Sequence, residues 1–139
     1  QVTVVTGGIP TRLPWRQTRQ GDDRGLRVLR HGFQIPTMLN GANAYMTFGW
    51  KLGRMLQRIE TEEQFDLVHV QSALDPGLPL LASKVMRTPK VGTYHSARQS
   101  TGSPLEKIPI IFRPVFQDAV AKIQAHIAVS AIAATYIHQ

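Results

Sequence analysis

With 139 residues, 42% of them hydrophobic, the chain has the size of one folded domain, able to bury about two-thirds of the surface its unfolded form exposes, and disorder is not expected. No apolar run approaches the roughly 20 residues of a membrane-spanning helix, and the lack of cysteine excludes disulfides, thiol nucleophiles and thiolate metal sites, in keeping with a reducing, cytoplasmic setting. The net charge of +7 is concentrated in the first sixty residues, which hold nine basic and three acidic side chains; this points to an anionic partner, or to nothing more than a solvated basic loop.

Gln1 to Thr6 mixes valine with threonine and is predicted to be a strand rather than a signal sequence, because no charged n-region or cleavage site follows. Gly7-Gly8 and Pro10 stop it. Residues 10–25, rich in arginine, proline and glycine, read as a long polar loop. Leu26 to His31 is a second strand, closed by Gly32 to Pro36. From about Ala42 to Thr61 the spacing predicts a helix, with Leu52, Met55, Leu56 and Ile59 on one face and Lys51, Arg54 and Arg58 on an adjacent one. Glu60, Glu62 and Glu63 would oppose the dipole at its carboxyl end and are assigned to the turn that follows.

Leu67 to Val70 is the central strand. Asp75 as N-cap and Pro76 at the first helical position then open a short buried helix over Leu78–Met86, with Lys84 and Arg87 in its last turn. Val91–Tyr94 is the next strand. A polar loop over residues 96–104 leads to a helical segment from Leu105 to Gln124, bent near Pro109 and Pro114. Ile127–Val129 and Ala131–Ile137 supply a last strand and a last helix. This order predicts a single α/β domain, Rossmann-like, with a mostly parallel sheet and helices on both faces.

Chemistry in an open α/β sheet gathers beyond the carboxyl ends of the strands. By that rule Gln71, Ser72 and Asp75 would face Thr93, His95 and Ser96. His95 ends a strand ahead of a loop carrying Arg98, a placement suited to holding a sugar hydroxyl or a phosphate. His69, inside an apolar strand, is expected to be a hydrogen-bonded core histidine. Gly7-Gly8 follows a strand as a phosphate loop would, but two prolines follow within six residues and no G-x-G-x-x-G or G-K-[ST] occurs, so a tight turn is the better reading. The histidines form no H-x-x-x-H pair and no metal site is expected. Nucleic acid is disfavoured as well: only Trp15 interrupts the arginine-rich loop, and Phe48 and Trp50 beside the basic helix suit a membrane interface at least as well.

Three runs together resemble the amino-terminal domain of GT-B glycosyltransferases of family 4: Phe65-Asp66-Leu67-Val68-His69-Val70, Pro76-Gly77-Leu78-Pro79-Leu80-Leu81-Ala82, and Lys90-Val91-Gly92-Thr93-Tyr94-His95-Ser96. Ala125-His126-Ile127-Ala128-Val129-Ser130 resembles the strand that ends such domains, with Ala131 where an acidic residue often stands, and Gln1 to Thr6 is similar to their second strand. Phe33-Gln34-Ile35-Pro36 ahead of a basic helix is similar to the phosphatidylinositol mannosyltransferase branch.

The resemblance implies a retaining hexosyltransferase of two Rossmann-like domains with the active site between them. The whole of 1–139 would be the acceptor-side domain, inactive alone. His95, in the T-[FY]-H motif, would contact substrate at the catalytic cleft, with Thr93, Ser96, Arg98, Ser72 and Asp75 as further substrate-binding candidates. The acceptor would be a lipid, a phospholipid or a phosphorylated small molecule. The chain itself would bind no cofactor, and the donor, a GDP- or UDP-sugar, would belong to a carboxyl-terminal domain beyond Gln139. Lys51, Arg54 and Arg58 would dock the enzyme peripherally on the anionic inner face of a membrane. The family's first strand and glycine-rich loop would precede Gln1, so the chain reads as a fragment, and a domain without that strand would carry unpaired backbone groups along an open apolar groove. The alternative is a non-catalytic α/β module that binds anionic membranes.

Overall fold

The computed structural model describes residues 2–8, 19–23, 26–39, 42–73, 75–95 and 113–134. It is a mixed α/β, Rossmann-like domain whose strands are mostly parallel. The strands are β1 (Thr3–Gly7), β2 (Arg19–Asp23), β3 (Leu26–His31), β4 (Phe33–Leu39), β5 (Ala42–Phe48), β6 (Val68–Gln71), β7 (Lys90–Tyr94) and β8 (Ala125–Ala128). The helices are α1 (Leu52–Glu63), α2 (Leu78–Val85), α3 (Arg113–Ala121) and α4 (Ala131–Ala134).

Where one sheet was expected, the ladders among the described residues form three. In the first, β3 lies between a parallel β1 and an antiparallel β2. In the second, β6, β7 and β8 run parallel in that order. The third is the antiparallel hairpin β4–β5. The consecutive order of β6, β7 and β8 follows from the helical crossovers between them. In the adjoining helix layer α2 touches both α1 and α3, and α4 packs on β8.

Several local expectations are corrected. Arg19–Asp23, read as loop, pairs along β3. Phe33–Leu39, read as the close of a strand, continues past a turn at Gly32 (φ 75°) as β4. Ala42–Phe48, read as the start of a helix, is β5, and helix begins only after Gly49. Tyr45, Thr47 and Phe48 are β-prone, and pairing with β4 satisfies backbone groups that an isolated first turn would leave open. From Leu52 onward the helical pattern holds: Leu52, Met55, Leu56 and Ile59 are the buried residues of α1.

The acidic cluster also lies inside α1 rather than in the turn beyond it. Each carboxylate has a partner that offsets the helix dipole. Glu60 accepts the backbone N–H groups of Arg87 and Thr88, both at 2.7 Å; Glu63 pairs with Arg27; Glu62 pairs with Arg58 one turn earlier at 3.4 Å. Desolvation raises the Glu60 pKa, but the bonds from Thr88 and Arg87 and the charge of Lys90 bring it below the ordinary value. The core joins α1 to Leu29 on β3, Val70 on β6 and Tyr94 on β7.

The entry to α2 differs from the Asp75–Pro76 start expected. The helix opens at Leu78 with Gly77 as N-cap and Pro79 in the first turn. Gly77 has φ 97°, and a β-carbon there would strike the backbone of Thr47, to which Gly77 is bridged. Only glycine combines that backbone angle with so close an approach.

Candidate functional site

The register of β6 and β7 sets Gln71 beside Thr93, so the two strands end level and release Ser72 and His95 at one carboxyl edge. The turn after β6 is fixed to β7 by the Ala73 N–H, which donates to the Thr93 carbonyl at 3.3 Å. From the helix side, the buried Ser83 hydroxyl reaches the carbonyls of Ala73 (3.3 Å) and Pro79 (3.0 Å). Ser72 adopts φ 50°, a left-handed conformation uncommon for a non-glycine residue and one that tends to mark sites where the surroundings hold a side chain in place.

On this edge the side chains form a chain of contacts. His95 Nε2 lies 2.7 Å from Gln71 Oε1. Gln71 Nε2 lies 3.2 Å from Nε2 of His69 and 3.5 Å from its Nδ1. His69 Nε2 is in turn 2.6 Å from Thr93 Oγ1. Thr93 is buried at 5% exposure, whereas His69, Gln71 and His95 are exposed. His69 is therefore not the core histidine its apolar neighbours suggest: along β6 Val70 faces the core and His69 and Gln71 face out.

Asp75 completes the cluster. Instead of capping α2, its carboxyl bonds to the Ser72 side chain. Burial raises its pKa above the ordinary carboxylate value, against the Ser72 hydrogen bond and the charge of His95, which act to lower it. Ser72, Asp75, Gln71 and His95 thus present hydroxyl, carboxyl, amide and imidazole at one rim. Such a set exchanges hydrogen bonds with a polyhydroxylated ligand.

Of the six substrate-site residues expected from sequence, the structure brings together Thr93, His95, Ser72 and Asp75; Ser96 and Arg98 lie outside the described residues. Thr93 joins through the hydrogen bond to His69 rather than by exposure. What sequence reasoning missed is His69 as a member of the rim and the amide of Gln71 as its link to His95. Strict alternation along β6 was the available signal, masked by the apolar run around it. Gly7 is explained by crowding: a β-carbon there would lie 2.5 Å from Thr47 Oγ1 and 2.6 Å from the Gln34 side chain. Among the described residues no cluster of histidine and acidic side chains could hold a metal ion.

An open groove of about 580 Å³ runs between β1 and β6. Val4, Leu56, Val70 and Met86 contribute apolar wall, and Gln34 and Gln71 also line it. Away from the rim, Lys51, Arg54 and Arg58 are all exposed, next to Trp50 at 89% exposure. Among the described residues no helix is long and apolar enough to cross a membrane.

Comparison with known proteins fits this geometry. The family model described as Glycosyltransferase Family 4 matches residues 1–139. The chain is also similar to a phosphatidyl-myo-inositol mannosyltransferase from Mycolicibacterium smegmatis, 30% identical over 96 residues. That alignment covers 69% of this chain and 25% of the relative, so the chain spans about a quarter of the relative's length.

Proposed function

This chain belongs to glycosyltransferase family 4, and from that premise we propose that it is the acceptor-binding half of a retaining GT-B glycosyltransferase. The observation that carries the reading is the convergence of Ser72, Asp75, Gln71 and His95 at the level ends of β6 and β7. His95 is the catalytic-site residue, holding the reacting sugar acceptor; Ser72 and Asp75 fix its hydroxyls, and buried Thr93 supports the histidines. Ser96 and Arg98 extend the site along the loop that follows. The nucleotide-sugar, a GDP- or UDP-sugar, is bound by a second domain of the whole enzyme, and the acceptor is a lipid or a phosphorylated small molecule. Similarity to a protein named phosphatidyl-myo-inositol mannosyltransferase supports a membrane lipid and a hexosyl donor.

The test is sugar transfer in the whole enzyme with its donor-binding domain. A hydrogen bond to substrate contributes about 1–3 kcal/mol when its loss strands a polar group, so His95→Ala is expected to lower kcat/KM by roughly 10- to 100-fold. Undiminished transfer sinks the role of His95.

One observation favours a second property, peripheral binding to an anionic inner membrane face. Trp50 is almost fully exposed beside Lys51, Arg54 and Arg58, a pairing of aromatic and basic groups that suits a lipid interface. Co-sedimentation with phosphatidylserine vesicles is expected to fall when the three basic residues become Gln, and to weaken at high salt. Binding that survives both changes removes this reading.

A further inference from the structure

We propose that Ser83 and Gly92 are positioning residues for the acceptor rim: from α2 and β7 they seat the buried Ala73, and through it they fix the turn that presents Ser72 and Asp75. This deepens the acceptor-binding reading and rests on it for the ligand, but not for the anchoring.

The turn is held by backbone bonds whose direction is unambiguous, because an N–H only donates and a carbonyl only accepts. The peptide unit joining Ser72 to Ala73 is tied at both ends. Its N–H donates to the Thr93 carbonyl at 3.3 Å, and its carbonyl accepts the Asp75 N–H at 2.7 Å. The Asp75 carbonyl in turn accepts the N–H of Leu80, in the first turn of α2, at 3.2 Å. Ser72, at φ 50°, depends on such support, since a left-handed non-glycine residue persists only where its surroundings hold it.

Ala73 is the pivot of this turn. It is fully enclosed, at 0% exposure, while Ser72 and Asp75 are half-buried. A glycine inside a strand often marks a close approach by another part of the chain, and Gly92 on β7 is such a case. A β-carbon at Gly92 would stand 3.1 Å from the Ala73 methyl, and as close to Ile123 and the Tyr94 hydroxyl. An added methyl is therefore crowded against all three. On the other side the Ser83 hydroxyl, also at 0% exposure, lies 3.0 Å from the Pro79 carbonyl and 3.3 Å from that of Ala73. The Pro79 contact is the usual bond of a helical serine to the turn before it. The Ala73 contact reaches out of the helix, and alanine, the better helix former, would forfeit it. Ala73 thus meets β7 through its methyl and N–H and α2 through its carbonyl. Any shift of Ala73 carries Ser72 and Asp75 with it.

Two measurements separate positioning from packing. The first is amide hydrogen exchange in this 139-residue chain, followed by NMR. In Ser83→Ala, exchange at Ala73 and Asp75 is expected to speed up about fivefold or more, as for one lost hydrogen bond. The Gln124 amide, bonded to the Lys90 carbonyl at the other end of β7, is expected to keep its parent rate within about twofold, because the opening is local. The second is steady-state kinetics in the whole transferase. Ser83→Ala and Gly92→Ala are each expected to raise the acceptor KM about fivefold or more and to leave the donor KM unchanged. Should the added methyl of Gly92→Ala prevent folding, Ser83→Ala, which only removes an oxygen, decides alone. Earlier melting with exchange at Ala73 and Asp75 no faster than at Gln124, or with an unchanged acceptor KM, overturns the proposal and makes both residues core packing. Faster exchange at the turn with a raised donor KM keeps the anchoring and overturns the acceptor reading, so the two failures are distinct.

Discussion

Asp75 shows, at the level of one residue, how burial at the rim works against stability. Its carboxyl has a raised pKa because burial penalises the charged form more than Ser72 and His95 relieve it. An acid whose folded-state pKa lies above its unfolded value destabilises the fold as pH rises from the unfolded value toward the folded one. Below the ordinary value of 3.8 both states are protonated and the effect vanishes. Asp75→Asn removes the charge and keeps a partner for Ser72. It is therefore expected to raise Tm at neutral pH, with the gain shrinking as the pH is lowered toward 3.8; thermal melts across that range measure it. A lower Tm at neutral pH would mean that Asp75 is a structural anchor and not a strained rim carboxyl. Sequence made this residue visible as a candidate but misread its job. Asp-Pro ahead of an apolar run is a strong N-cap signal, yet the chain needs the glycine at 77 to pass the backbone of Thr47, and the helix starts after it.

At the scale of elements, α1 separates what periodicity can and cannot decide. Its apolar stripe at Leu52, Met55, Leu56 and Ile59 was legible and is the buried face. Leu56, at 1% exposure, is the most enclosed of the four, and Leu56→Ala is expected to destabilise the domain by about 2–5 kcal/mol through lost transfer energy and the cavity left behind. Trp50→Ala, a larger truncation just outside the helix, should change stability by no more than about 0.5 kcal/mol, because its ring is in solvent. Chemical denaturation of the two variants provides the comparison; equal losses would mean that Trp50 is covered by something. The strand β5 could not be separated from α1 by pattern, since Ala42-Asn43-Ala44-Tyr45-Met46 carries no clear period. Tertiary pairing with β4 decides it. The acidic end of α1 was misassigned for a related reason: Arg87 and Thr88, 27 and 28 residues away, partner Glu60, and Arg27 pairs with Glu63, contacts that make these carboxylates favourable where the dipole alone would not.

For the whole molecule, the parallel unit β6–α2–β7–α3–β8 was legible because its strands read as short apolar runs separated by helical spacing, although only β7 is buried along most of its length, β6 alternates and β8 is largely exposed. Its carboxyl edge could then be located by rule, which brought Ser72, Asp75, Thr93 and His95 onto one rim before any coordinates. The division into three sheets was not legible, since pairing between distant strands leaves no local trace, and β2 hides in an arginine-rich stretch that lacks alternation. Nor could sequence supply the bonds among His69, Gln71 and His95, which depend on the register of β6 against β7.

That rim is proposed as the acceptor side of the enzyme, and steady-state kinetics of His95→Ala in the whole transferase, with donor and acceptor varied separately, test this most directly. We expect the acceptor KM to rise about tenfold or more, in line with the loss of one well-made hydrogen bond, while the donor KM stays within twofold or so of the parent. A donor KM that rises while the acceptor KM holds would contradict the assignment and move this rim to the nucleotide-sugar.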